Sequence, residues 1–245
     1  MNETLKLLYE RKSMRVYEDR PIAPEAKDAI LRAAAMAPSA GCQQLYTILD
    51  ITDPELRRRL SETCDHQPFI AQAKLALVFL ADCRKWYEGF RAAGCEPRRP
   101  GAGDLLLACA DAVIAAQNAA VAAESLGIGS CYIGDILENC ETHRELFKLP
   151  EYVVPAAMLV FGYPTAQQKA RTKPRRADMR HIVHENAYRT MGPDELQAMF
   201  GARMPPDDYV GGMRAFCARK YNSDFSREMT RSAEVYLKDF LEREE

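Results

Sequence analysis

The chain has 245 residues, enough for one large domain or two small ones and for a substantial buried core. Hydrophobic residues make up 47%, and 33 Lys and Arg stand against 35 Asp and Glu, so there is no basic excess. That balance argues against a nucleic-acid or membrane-surface protein, because both rely on strong positive charge.

Met1–Glu10 is polar and does not read as a signal peptide. No uninterrupted apolar run reaches the roughly 18 residues that span a bilayer. The cysteines (Cys42, Cys64, Cys83, Cys95, Cys109, Cys131, Cys140 and Cys217) contain no C-x-x-C pair. They are expected as reduced thiols in a cytoplasm.

In chain order, residues 3–10 predict a short helix leading into Arg11-Lys12-Ser13-Met14-Arg15. If this stretch is extended, Arg11, Ser13 and Arg15 share a face, and together they suit a phosphate or another planar anion. The alternative is a solvated basic turn. Ile30, Leu31, Ala34 and Ala35 give residues 25–36 a helical face, which Pro38 terminates. Ala37-Pro38-Ser39-Ala40-Gly41-Cys42-Gln43-Gln44 is a loop of small and polar residues. It suits close approach to a ligand, or it is a plain connector.

Leu45–Thr52 predicts a strand, Asp53-Pro54 opens a helix to about Cys64, and Gln67-Pro68-Phe69 reads as a turn. Leu75–Ala81 is continuously apolar and predicts a buried strand. Trp86–Gly103 combines aromatics, prolines and glycines and fits a lid or a surface helical insertion. Residues 104–126 predict an Ala-rich helix, apolar nearly all round and therefore buried, with a subunit interface as a further use. Gly127 caps it. An extended segment follows at 128–135, then a short helix at 141–147, a turn between Pro150 and Pro155, and a buried strand at 156–161.

The stretch Lys169, Arg171, Lys173, Arg175, Arg176, Arg180 is a second set of anion donors or a solvated loop. His181 and His184 are expected to flank a strand. Residues 227–245 predict an amphipathic helix with Met229, Ala233, Tyr236, Leu237 and Phe240 inward. Interleaved helices and strands give one α+β domain over 1–200, and 201–245 form a C-terminal extension.

Catalytic motifs are scarce. There is no G-x-S-x-G elbow, no strand-linked G-x-G-x-x-G and no P-loop. Cys64-x-His66 and His181-x-x-His184 lack a second half at metal spacing, so no metal is expected. Anion donors without an evident acid, base or nucleophile suit a chain whose cofactor carries the reaction, as a flavin does.

Four stretches together resemble the nitroreductase family of FMN-dependent oxidoreductases. Arg11–Arg15 matches its R-x-S-x-R signature, and Ala37–Gln44 its A-P-S-x-x-N-x-Q loop. Leu126–Gly134 is similar to its L-G-L-G-S-C-x-I-G segment. Gly162-Tyr163-Pro164 with Lys169, Arg171 and Val183-His184 through Tyr188 resembles its closing pattern.

The resemblance implies an α+β fold with a central, mostly antiparallel sheet flanked by helices, and an intertwined homodimer with FMN at the interface. It implies that Arg11, Ser13, Lys169 and Arg171 hold the phosphate, with Lys12 nearby, and that Arg15 reaches the flavin pyrimidine edge. Pro38, Ser39, Ala40 and Gln44 would come from the partner subunit. Tyr132, Ile133 and Gly134 would lie against the isoalloxazine, and His66 and Gln67 would approach it. Cys42 stands where the family has Asn. A thiol donates and accepts weakly, so a flavin hydrogen bond would be missing, or Cys42 would be a reactive thiol. Leu45 and Tyr46 replace the usual Pro-Trp pair.

The implied activity is hydride transfer from NAD(P)H through FMN to nitroaromatics, quinones or related acceptors by a ping-pong scheme. Alternatives on the same scaffold are reductive dehalogenation, flavin fragmentation, or non-catalytic FMN storage. The tail either embraces the partner or is an ordinary surface helix.

Overall fold

The computed structural model describes residues 1–205 and 207–241. Its contacts group Met1–Arg171 with the residues from Glu228 on, and Thr172–Arg227 by themselves. The boundary expected at residue 200 falls within a helix, Pro193–Gly201.

The first unit is built on four strands: β1 (Tyr46–Asp50), β2 (Leu75–Asp82), β3 (Gly129–Ile133) and β4 (Val153–Gly162). They are ordered β1-β2-β4-β3, with every neighbouring pair antiparallel. Its helices are α1 (Glu3–Glu10), α2 (Pro24–Ala35), α3 (Pro54–Thr63), α4 (Pro68–Gln72), α5 (Arg84–Ala92), α6 (Ala102–Ser125), α7 (Cys140–Phe147) and α8 (Ala166–Ala170). The second unit holds α9 (Pro193–Gly201) and α10 (Tyr209–Lys220), and α11 (Asp224–Leu237) begins in it.

β2 is buried along its whole length because both sheet faces are covered. On one face, Leu75, Leu77 and Phe79 pack with α2 and α6; on the other, Ala76, Val78 and Leu80 meet Leu60 of α3 and Ile70 of α4. The small side chains Ala108, Ala112, Ala115, Ala119 and Ala123 form the inward stripe of α6, which lets the helix lie close to the sheet.

Several expectations change. α6 is not buried all round: Leu106, Leu107, Val113 and Ile114 are exposed, Leu106 to 72%. With a mean hydropathy of 1.7, α6 is also long and apolar enough to cross a membrane by length and composition alone, although its alanine stripe is packed inside this unit. The expected turn at Gln67-Pro68-Phe69 is instead the start of α4, with Pro68 in the first turn, where its missing N–H costs nothing. Pro155 lies inside β4 and not at a turn. It stands opposite Leu80 where the register shifts, a bulge that tolerates the missing donor.

Residues 86–103 resolve into α5 and an extended return to α6. No strand forms between His181 and His184, where Met179–His181 is a single 3-10 turn. In α11, Tyr236 is buried and Phe240 follows it inward, whereas Leu237 is exposed and Ser232 is fully buried. Ser232 Oγ accepts from Cys140 N at 3.0 Å, and Arg231 pairs with Glu141, so α11 is fastened to α7 of its own chain. The expected helix end at 242–245 lies outside the described residues.

Candidate functional site

α1 ends at Glu10 with Arg11 as its C-cap, and the chain then runs beside β3, the edge strand. Met14 is buried, and its N–H donates to Ser130 O at 3.0 Å. Tyr17 tucks in behind it, donating its hydroxyl to Met14 O at 2.7 Å. Two glycines make this possible. A Cβ on Gly129 would stand 2.6 Å from Met14 Cγ, and one on Gly162 would stand 2.6 Å from Tyr17 Cγ. With Met14 turned inward, the alternation leaves Arg11, Ser13 and Arg15 together.

The Cys131 thiol marks where they meet. Burial raises its pKa, while Arg15, Ser13 and Arg11 all act to lower it. Burial likewise pushes the Tyr132 hydroxyl up to about 12 against the pull of Arg11. Arg15 also lies over the ring of Phe69, 5.9 Å from its centre.

The second cationic stretch joins this place through Lys12. Its Nζ donates to Lys169 O at 2.6 Å and to Arg171 O. Gln168 completes the join: its Oε1 accepts from Arg15 N at 3.3 Å and from Arg171 Nη1 at 3.1 Å. Lys12 is therefore committed to backbone carbonyls, and Arg11, Ser13, Arg15 and Arg171 remain as donors around it, while Lys169 Nζ stands 3.9 Å from Glu18 Oε1.

Of the residues expected at a flavin ring, Ile133 is buried, Tyr132 is half-buried with its hydroxyl on Gln117 Oε1 at 3.3 Å, and Gly134 is open. Gln67 reaches the same strand end, donating Nε2 to Asp135 Oδ2 at 2.7 Å and to Cys64 O at 2.9 Å. His66 is exposed, with φ 50.

The loop Pro38–Gln44 is organised elsewhere. Asp111, buried in α6, accepts Ala40 N at 2.9 Å and Leu45 N at 3.1 Å on its two carboxylate oxygens. Gln44 Nε2 donates to Ala35 O at 2.9 Å, its N–H donates to Ser39 Oγ at 3.0 Å, and Trp86 Nε1 donates to Gln43 O at 2.7 Å. Cys42 is exposed in the left-handed region, with φ 55.

The donor set fits FMN. Arg11 Nε is buried with no hydrogen-bond partner. An unpaired buried guanidinium N–H is costly, and a phosphate is a charge-matched acceptor for it.

The Nitroreductase family model matches residues 8–163. The chain belongs to the nitroreductase family. It is 33% identical to "FMN reductase [NAD(P)H]" of Bacillus subtilis over 96% of this chain and 91% of that protein. It is 36% identical to "Oxygen-insensitive NADPH nitroreductase" of Salmonella typhimurium over 78% of this chain and 77% of that one. Among solved structures, NfrA2 of B. megaterium superposes with a TM-score of 0.85 at 29% identity, covering 100% of both chains. The family and the α+β fold read from the four stretches are thus borne out.

Three residues of this nitroreductase-family chain escape sequence reasoning: Asp111, Gln168 and Asp135. Asp111 sits in an alanine-rich helix, where its charge is a visible anomaly and the signal that was available. Gln168 and Asp135 carry no such signal, because each acts through contacts made across the fold.

Proposed function

We propose that this chain moves hydride from NAD(P)H through FMN to a small-molecule acceptor such as a nitroaromatic or a quinone, the donor and the acceptor taking turns at one ring face. It is an NAD(P)H-dependent flavin oxidoreductase of the nitroreductase type, with FMN as cofactor and NAD(P)H as co-substrate. One observation carries the reading: Lys12 draws Lys169 and Arg171 up to the Arg11–Arg15 stretch, making one cationic seat from two distant segments. FMN, when bound, supplies hydride uptake and release.

The residues supply position and charge. Arg11, Ser13, Lys169 and Arg171 hold the phosphate, and Arg15 places a cation where charge grows on the pyrimidine side on hydride uptake. Tyr132, Ile133 and Gly134 bound one side of the ring. Pro38, Ser39, Ala40, Cys42 and Gln44 reach the flavin of a second copy, which makes the working unit a homodimer. Supporting this, the outer face of α6 exposes Leu106, Leu107, Val113 and Ile114, an apolar stripe that an isologous partner would cover. All eight cysteines are free, in keeping with a cytoplasmic enzyme. Under α5 lies a cavity of about 320 Å³ lined by Trp86, Tyr87, Phe90, Pro97 and Leu45, which we assign to the aromatic acceptor.

The test is an absorbance spectrum of the purified protein followed by anaerobic addition of NADH or NADPH. Flavin bands that bleach establish the reading and name the donor. Bound flavin that neither donor bleaches overturns it in favour of storage.

A further inference from the structure

The 3-10 turn Gly134–Leu137 and Glu138 after it hold two carboxyls that the cofactor seat does not use. Glu138 is only 5% exposed, and its Oε1 has no hydrogen-bond partner. Its other contact is with the Asp135 side chain. Asp135 in turn accepts from Gln67 Nε2 at 2.7 Å, and the second Nε2 hydrogen goes to Cys64 O at 2.9 Å. Both acceptors are pure acceptors, so the amide cannot be turned the other way round. The two hydrogens of Gln67 are spent, and only its carbonyl Oε1 is left for anything else.

We propose that Asp135, backed by the buried Glu138, is a positioning residue that presents Gln67 to FMN solely as a hydrogen-bond acceptor for a flavin N–H. The inference rests on the FMN reading above. Arg15 over Phe69, two residues beyond Gln67, and Gly134, one residue before Asp135, place this chain of contacts at the same strand end as the cationic seat.

The charges around Glu138 decide how the pair behaves. Burial pushes its carboxyl up to about 8, and Asp135, Asp65 and Glu228 push the same way. Glu228, from α11, is offset by Arg231 at 2.8 Å. His143, from α7, contributes no charge of its own: it is buried, and burial lowers its pKa. At neutral pH, Glu138 therefore keeps its proton and faces the Asp135 side chain, which holds Gln67. When Glu138 ionises, two carboxylates face each other and the hold on the amide weakens.

The experiment uses the FMN-loaded protein and reads the FMN dissociation constant and the two-electron midpoint potential across pH 6–9. Asp135→Ala frees an Nε2 hydrogen and lets the amide turn. The dissociation constant should rise about five- to tenfold, the worth of one hydrogen bond, with a shifted potential. Asp135→Asn keeps a carbonyl for Nε2 and should return affinity to within about twofold of wild type. Wild-type affinity should fall as pH rises through about 8, and Glu138→Gln, which cannot ionise, should show a flat profile. If Asp135→Ala does not fold, the Glu138→Gln profile decides. Wild-type affinity, potential and pH profile in these variants would overturn the inference. A wild-type protein that takes up no FMN would instead overturn the reading beneath it.

Discussion

Lys12 Nζ donates to the carbonyl oxygen of Lys169 at 2.6 Å, joining residues 157 apart in sequence. The same ammonium reaches Arg171 O, so one side chain fixes the separation between the two cationic segments. Lys12→Ala should weaken FMN about tenfold, the effect of losing a charge-assisted contact, and change riboflavin affinity far less. Titration of both flavins checks this. Equal loss for the two would mean that Lys12 does not serve the phosphate end.

Gly162 backs onto Tyr17 so closely that an added Cβ meets Tyr17 Cγ at 2.6 Å and its Cβ at 2.9 Å. Those atoms are the base of the ring and cannot swing away. Gly162→Ala should cost about 1–3 kcal/mol. Most of that cost should vanish in a Tyr17→Ala background, a coupling that a double-mutant cycle in denaturant measures.

Asp111 takes two backbone N–H groups of the loop, Ala40 and Leu45, at 2.9 and 3.1 Å. Asp111→Ala leaves the buried Leu45 N–H and the half-buried Ala40 N–H without this acceptor and should cost about 2–3 kcal/mol. Asp111→Asn keeps one carbonyl oxygen and should recover part of the loss. Urea denaturation of the three proteins gives the order.

Cys42 holds φ 55, a conformation that asparagine adopts more readily than cysteine. Cys42→Asn should stabilise the chain by about 0.5 kcal/mol through reduced backbone strain. It should also tighten FMN, because an amide donates and accepts where a thiol does both weakly. Melting temperature and FMN titration report the two effects separately.

Glu138 predicts a pH dependence of stability. Its carboxyl sits at about 8 in the folded chain against an ordinary 4.5. Between these values the folded state keeps a proton that the unfolded state has released. The contribution of Glu138 is therefore full below about pH 4.5 and is lost as pH rises through about 8. Relative to wild type, Glu138→Gln should gain in melting temperature from pH 5 to pH 8, by roughly 10 °C. A constant difference across that range would contradict the shift.

Much of this was legible in the chain itself. The run Leu75–Ala81 reads as a strand buried on both faces, and β2 is that strand. The helix expected over 104–126 forms as Ala102–Ser125, and Gly127 takes φ 73 behind it. The R-x-S-x-R, A-P-S, L-G-x-G-S-C and G-Y-P stretches identified the family because each is a short motif whose residues act within a few positions of one another. The glycines of two of these motifs now have a physical cause, since Gly129 and Gly162 give room to Met14 and Tyr17.

The sequence by itself determined what depends on neighbouring residues: element type, the apolar runs that become core, and the motifs that mark the family. Tertiary structure alone decided which distant groups meet. That Lys12 binds Lys169 O, that Asp111 caps the loop at Ala40, and that Asp135 holds Gln67 are contacts across 157, 71 and 68 positions. A backbone carbonyl or N–H offers a partner without any side-chain signature, and burial of a carboxyl depends on what packs over it. Neither can be read from spacing, because both are set by how the sheet and helices close on one another.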